Sequence, residues 1–128
     1  MKHYKLSLTE DRLGSKVVRE EIMGEWSTAV AESYKADYET FVANNVGSDQ
    51  WKKLVDLSNW TFTTEDIIPI LASHLSWCGE HGLTKGAMVL SKIPESVSVS
   101  LMLKQSGMLD RVEFYDNEEA ALKFLEET

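Results

Sequence analysis

Disulfide chemistry has almost nothing to work with in this chain. Its 128 residues include one cysteine, Cys78. A lone thiol cannot close an internal bridge, so disulfide-stapled secreted scaffolds are excluded and a reducing cytoplasm is the expected compartment. Proline and glycine are scarce, at two and seven residues, which removes the collagen-like and low-complexity classes. Positive charge is short as well. Thirteen Lys and Arg stand against 21 Asp and Glu, a formal net charge of −8. The basic residues are scattered, with Lys52-Lys53 the densest pair. Nucleic-acid binders and anionic membrane surfaces call for clustered cations, so neither is an expected partner. No run approaches the roughly 18 apolar residues of a membrane-spanning helix. Met1-Lys2-His3-Tyr4-Lys5 has no apolar run behind it, so no signal peptide is expected.

What remains is the profile of one globular domain. Hydrophobic residues make up 43% of the chain, enough for a core without a stapling metal at this length. Turn residues divide the sequence into short alternating segments. Lys5–Leu8 and the Val/Ile-rich Lys16–Met23 read as strands, and the short turn ending in Gly14 predicts a hairpin between them. Ser27 is an N-cap candidate for a helix whose apolar residues recur at Val30, Tyr34, Tyr38, Phe41 and Val42, and Asn44, Asn45 and Gly47 stop it. Lys53–Leu57 reads as a short strand ended by Ser58-Asn59.

A second helix carries Ile67, Leu71, His74, Leu75 and Cys78 on one stripe. Thr63 with Asp66 resembles a capping box at its start, and Pro69 fits its first turns. Gly86–Ser91 is a compact apolar run expected to be a central strand buried on both faces. Val112–Tyr115 is another strand. Asp116 or Asn117 then caps a helix bearing Ala121, Phe124 and Leu125. Val97–Leu103 alternates like a strand, but Pro94-Glu95-Ser96 starts a helix and Gln105-Ser106-Gly107 stops one, so we read it as helix. The order is ββαβαβαβα: an α/β domain with a mixed sheet of four or five strands and about four helices.

No G-x-G-x-x-G and no Walker A loop is present. His74, Cys78 and His81 form the best local cluster, since residues four apart on a helix share a face. A zinc site needs three or four ligands and a nucleophilic cysteine needs a base and an orienting group. With one cysteine and apolar flanks, Cys78 reads as a small packed hydrophobe, and neither a metal nor a cofactor is expected. The acid pairs Glu20-Glu21, Glu65-Asp66, Glu118-Glu119 and Glu126-Glu127 read as solvated groups, three of them beside helix ends. Trp26, Trp51, Trp60 and Trp77 read as core or interface, and four tryptophans in a small domain suggest surplus aromatic surface and a homodimer.

The run Leu54-Val55-Asp56-Leu57-Ser58-Asn59-Trp60 resembles the SpoIIAA-like (STAS-like) proteins. In that family a strand ending in Val-Asp-Leu-Ser precedes a helix start. Gly24-Glu25-Trp26-Ser27 upstream, and the Ala- and Leu-bearing helix after Asp116 downstream, extend the resemblance over nearly the whole chain. It implies a mixed sheet with helices, related to STAS domains and, in some relatives, to the lipid-binding CRAL-TRIO (SEC14-like) fold. STAS proteins of the anti-sigma antagonist type switch when a Ser at a helix N-terminus is phosphorylated. Here Asp56-Leu57-Ser58-Asn59 matches the first half of that motif, while Glu65 falls at the phosphorylated position and Ile67 at a Gly.

The resemblance therefore implies a non-enzymatic regulatory module that binds a protein partner without the standard phospho-serine switch. Its binding surface would be Ser58, Trp60, Thr63, Thr64 and Glu65, with Glu65 in the first turn of the second helix as a fixed anionic mimic. The rival is a carrier of a lipid or small apolar ligand, its pocket lined by Tyr34, Tyr38, Trp60 and Trp77.

Overall fold

The computed structural model describes residues 3–61, 65–90 and 93–127, with backbone alone over 93–98. Nine elements follow in the expected order. They are β1 (Tyr4–Glu10), β2 (Lys16–Glu25), α1 (Thr28–Asn45), β3 (Trp51–Thr61), α2 (Ile67–Glu80), β4 (Leu83–Val89), α3 (Ile93–Ser106), β5 (Val112–Tyr115) and α4 (Glu118–Leu125). The five strands form one sheet in sequence order; β1 is antiparallel to β2 and the remaining pairs are parallel. Gly14, at φ 80°, completes the predicted hairpin turn in a conformation that glycine adopts without strain.

The three crossovers α1, α2 and α3 bury their apolar stripes on one face of the sheet. Successive crossovers of one hand between adjacent parallel strands place their helices on the same side. The opposite face is covered by α4, where Ala121 and Leu125 meet Val17, Leu54, Ala87 and Val89. Strand alternation divides the two cores: Val18 and Ile22 point to the three-helix side while Val17 points to α4. Ser27 accepts from the Val30 amide as the N-cap of α1, and Asn117 from the Ala120 amide as the N-cap of α4. Lys52 and Lys85 secure the far end of α4. Lys52 Nζ donates to Leu125 O at 2.5 Å and to Asp11 Oδ2 at 2.6 Å, and Lys85 Nζ to Phe124 O at 3.0 Å and Glu127 O at 2.7 Å. Cations at these last carbonyls match the negative end of the helix dipole.

Three boundaries differ from the sequence reading. β3 runs through Ser58-Asn59 to Thr61, because pairing with β2 outweighs the turn preference of those residues. β4 lies earlier than predicted and ends at Val89. Asp66 occupies the N-cap position of α2 without a side-chain cap bond, so Glu65 precedes the helix rather than lying in its first turn; Thr63 and Thr64 lie outside the described residues. The disputed segment at 97–103 is helical, within α3.

The β3 extension contains an irregularity that matters for the site. Glu21 faces Asp56 but Met23 faces Asn59, so β3 carries one extra residue there. Strict alternation would place Leu57 and Trp60 on opposite faces. The bulge shifts the phase, and both are buried in the three-helix core.

Gly82 joins α2 to β4 at φ 100°, and a Cβ there would lie 2.8 Å from the Asp49 carbonyl oxygen. We expect Gly82→Ala to cost about 1–3 kcal/mol through backbone strain and this clash, measured as a lowered urea midpoint at unchanged slope.

Candidate functional site

The three-helix core contains a charged pair. Glu20 on β2 and Lys53 on β3 are both 1% exposed. Each is in phase with apolar neighbours, Glu20 with Val18 and Ile22, Lys53 with Val55. The pleat therefore carries both inward. Their Nζ–Oε2 distance is 3.0 Å. Two helices complete the arrangement. Tyr34 of α1 donates its hydroxyl proton to Glu20 Oε1. Lys53 Nζ lies 2.8 Å from His74 Nε2 on α2 and 3.3 Å from the Tyr34 oxygen. It also stands 4.0 Å from the centre of the Tyr38 ring. Because Lys53 is a donor only, His74 Nε2 accepts and its proton resides on Nδ1.

Burial, and then the Lys53 charge, hold the His74 imidazole well below its ordinary value of 6.5, so it is neutral. Tyr34 and Tyr38 are pushed well above 10.0, by burial and then by the Glu20 charge. Burial raises the Cys78 thiol to about 12, against a smaller opposing pull from Lys53. The Cys78 sulfur lies 3.5 Å from His74 Nε2, but a thiol so reluctant to ionise is a poor nucleophile.

This polar group forms one end of a small cavity of about 40 Å³. Its apolar wall includes Trp26 from the end of β2, Leu57 and Trp60 from β3, Leu71 and Leu75 from α2, Met88 from β4, and Val99 and Met102 from α3. The volume suffices for water-sized occupants. The two methionines give part of the wall a flexible, polarisable surface.

The residues anticipated from sequence separate into four groups. Tyr34 and Trp60 line the cavity. Tyr38 is buried behind Tyr34, at 5.5 Å between ring centres, and is not part of the wall. Trp77 lies elsewhere: it stacks on His81 at 4.3 Å near the end of α2 and borders a surface groove with Lys35 and Glu80. The proposed cluster of His74, Cys78 and His81 is therefore split, because the helix ends before His81 can turn inward. Ser58 and Glu65 are exposed, and Ser58 is held by Asp56, whose Oδ1 accepts from its amide at 3.0 Å and its hydroxyl at 2.6 Å.

Two corrections concern burial. Glu20 is not a solvated acid but the anion of the buried pair. The tryptophans leave little aromatic surface, since Trp26, Trp51 and Trp60 are each 1% exposed and Trp77 packs on the core edge. Sequence reasoning alone does not single out Glu20 and Lys53 as site residues. The available signal was a charged residue in phase with the apolar positions of a strand.

Removing one member of the pair isolates the other in the core. Lys53→Met is expected to cost roughly 3–5 kcal/mol, and Glu20→Leu/Lys53→Met to recover most of that loss, as read from urea unfolding of the two variants. The buried neutral groups also fix a pH profile. An unfolded histidine takes up a proton below about 6.5 that folded His74 refuses, so stability is complete above that pH and falls as the medium is acidified. Cys78 and the two tyrosines have raised values. Their contribution is complete below about pH 9 and is lost as pH rises toward 12. Thermal unfolding across pH 4–11 (roughly the span of these groups) should trace a plateau with both flanks falling.

No protein-family model matches the sequence, and no curated protein matches it either. Solved structures do match in fold. An uncharacterised DUF3478-family protein from Shewanella loihica, described as having a SpoIIAA-like fold, superposes with a TM-score of 0.70 at 10% identity, over 98% of this chain and 95% of that one. The phosphorylated Bacillus cell-fate determinant SpoIIAA superposes with a TM-score of 0.60 at 14% identity, over 95% of this chain and 98% of that one. The unphosphorylated anti-sigma factor antagonist SpoIIAA gives the same TM-score and identity over 95% of each chain. With the sheet order and helix placement described above, these likenesses show that the chain has the SpoIIAA-like (STAS-like) fold.

Proposed function

We propose that this chain is a non-enzymatic regulatory module that binds a protein partner at the carboxyl end of β3 and the approach to α2. The observation that carries this reading is the division made by the β3 bulge. Trp60 turns inward and anchors the strand end in the core, while Ser58, Asn59 and Thr61 remain exposed, as do Glu65 and Asp66 ahead of α2. Polar groups mounted on a rigid strand end are suited to recognition, and in parallel sheets binding sites lie beyond the carboxyl ends of the strands. The Bacillus protein of the same fold is an anti-sigma factor antagonist solved with and without phosphate. In this chain an acidic residue, Glu65, stands on the approach to α2, and on this reading partner binding needs no kinase. The raised thiol of Cys78 and the occupied nitrogen of His74 support the non-catalytic reading.

The apolar lining of the cavity raises a second reading, a site for a small apolar ligand, and its volume opposes it. At about 40 Å³ it is far below the 150 Å³ that admits benzene into an apolar protein cavity. A ligand of that size would have to displace Met102 or Val99, and a lipid chain would need a larger opening still.

Affinity capture with the intact chain checks the first reading. The expected result is a protein retained by wild type and by a Lys123→Glu variant on α4, but lost by Ser58→Arg and by Glu65→Arg. Equal retention by all four would count against it. Native mass spectrometry checks the second: a co-purifying small molecule that Met102→Trp excludes supports the ligand site, and a clean apo mass weakens it.

A further inference from the structure

The sheet has two edges, and they are unlike. β5 is four residues long, whereas β1 presents seven, Tyr4–Glu10, bonded on one side to β2. β1 contains no proline and no register irregularity with β2 that would blunt it. His3 O accepts from the Met23 amide at 2.8 Å. By the alternation of an antiparallel ladder, the N–H and C=O groups of Tyr4, Leu6, Leu8 and Glu10 then point away from β2. Among the described residues, no strand meets them. Beside this edge lies a groove between β1 and α1, lined by Leu6, Val30, Phe41, Ser33 and Thr40. Leu8, at 39%, is one of the exposed large hydrophobic residues of the chain.

The geometry points to a second copy of this chain as the occupant, its β1 paired antiparallel with this β1 across a two-fold axis through Ser7. The strand is complementary to itself in that register. Partners must share a face of the joined sheet, which requires registers that pair even-numbered with even-numbered residues. With Ser7 opposite Ser7, Leu6 meets Leu8 twice on the α1 side, Tyr4 meets Glu10, and Lys5 meets Thr9 on the other side. All four outward-pointing residues become ladder-bonded, and no pair brings like charges together. The half-buried Leu6 and exposed Leu8 then form a four-leucine cluster, closing the groove beside α1. The contact is isologous and stops at two copies, joining the two sheets into one. It replaces surplus tryptophan as the source of a dimer, and it is separate from the partner surface at the end of β3.

A disulfide trap tests both the state and the register. Ser7 is exposed, so Ser7→Cys leaves the fold intact, and native Cys78 is buried and unreactive. In the proposed pairing the two Ser7 residues form a non-hydrogen-bonded pair with Cα atoms about 4.5 Å apart, within the roughly 4.4–6.8 Å that a disulfide spans. Thr9→Cys would place its thiols about 14 Å apart along the joined strands at 3.4 Å per residue.

The expected result is rapid crosslinking of Ser7→Cys under mild oxidation, none of Thr9→Cys, and a wild-type dimer in sedimentation at tens of micromolar. Leu8→Glu should weaken that dimer by more than about tenfold, since it removes buried leucine from both halves of the contact, with an unchanged circular dichroism spectrum. A wild-type monomer throughout would overturn the proposal. So would equal crosslinking of the two cysteine variants, or a dimer indifferent to Leu8→Glu, which would place the contact on another surface.

Discussion

The ion pair between Glu20 and Lys53 constrains the interior of this domain more than any other contact. Two charges removed from water are tolerated only if their remaining donors and acceptors are met. Here the requirement reaches into both neighbouring helices. The Tyr34 hydroxyl must come from α1 and the His74 ring nitrogen from α2, so the rotation of each helix on the sheet is fixed by a hydrogen bond as well as by apolar packing. An all-leucine interior at these positions could tolerate small rotations of α1 and α2. This one tolerates them less, because a slip withdraws the Tyr34 hydroxyl from Glu20 or the His74 nitrogen from Lys53 and leaves a buried charge short of a hydrogen-bond partner.

The consequences extend to the electrostatics of nearby groups. Lys53 favours the neutral form of His74, Glu20 favours the neutral forms of Tyr34 and Tyr38, and burial acts in the same direction on all three. The region is thus a set of neutral polar groups around one compensated pair. Such a region can orient a small guest or stiffen the core. The adjoining cavity lies between this polar cluster, the two tryptophans, and Val99 and Met102 of α3.

The opposite face is organised by a different use of lysine. Lys52 is the neighbour of Lys53 in sequence, yet alternation sends it through the sheet to the end of α4, where it and Lys85 meet carbonyl oxygens of the last turn. The densest basic pair in the sequence therefore does not form a basic patch. Its two charges go to opposite faces and are each internally satisfied, one by Glu20 and one by Asp11.

Local rules were sufficient for much of the architecture. The hairpin at Gly14, the caps at Ser27 and Asn117, the strand Val112–Tyr115 and the helix through Val97–Leu103 all follow from short-range preferences that agree with the fold. The order of elements and the SpoIIAA-like likeness were legible for that reason. The candidate site was legible only in pieces: Tyr34 and Trp60 as aromatic wall, His74 as a residue on a buried stripe. Tertiary structure decided the rest. Ser58 and Asn59 have turn preferences, and only pairing with β2 keeps them in a strand. Trp60 faces the core because a bulge, which no local preference announces, shifts the phase of β3. Trp77 shares α2 with His74 and Cys78, and His81 follows just past its end, but both fall away from the cavity, since helix length and rotation are set by packing. Glu20 and Lys53 are remote in sequence and each resembles a surface residue. Their burial was decided by the meeting of two strands and two helices, because only that assembly supplies the four partners that make buried charge stable.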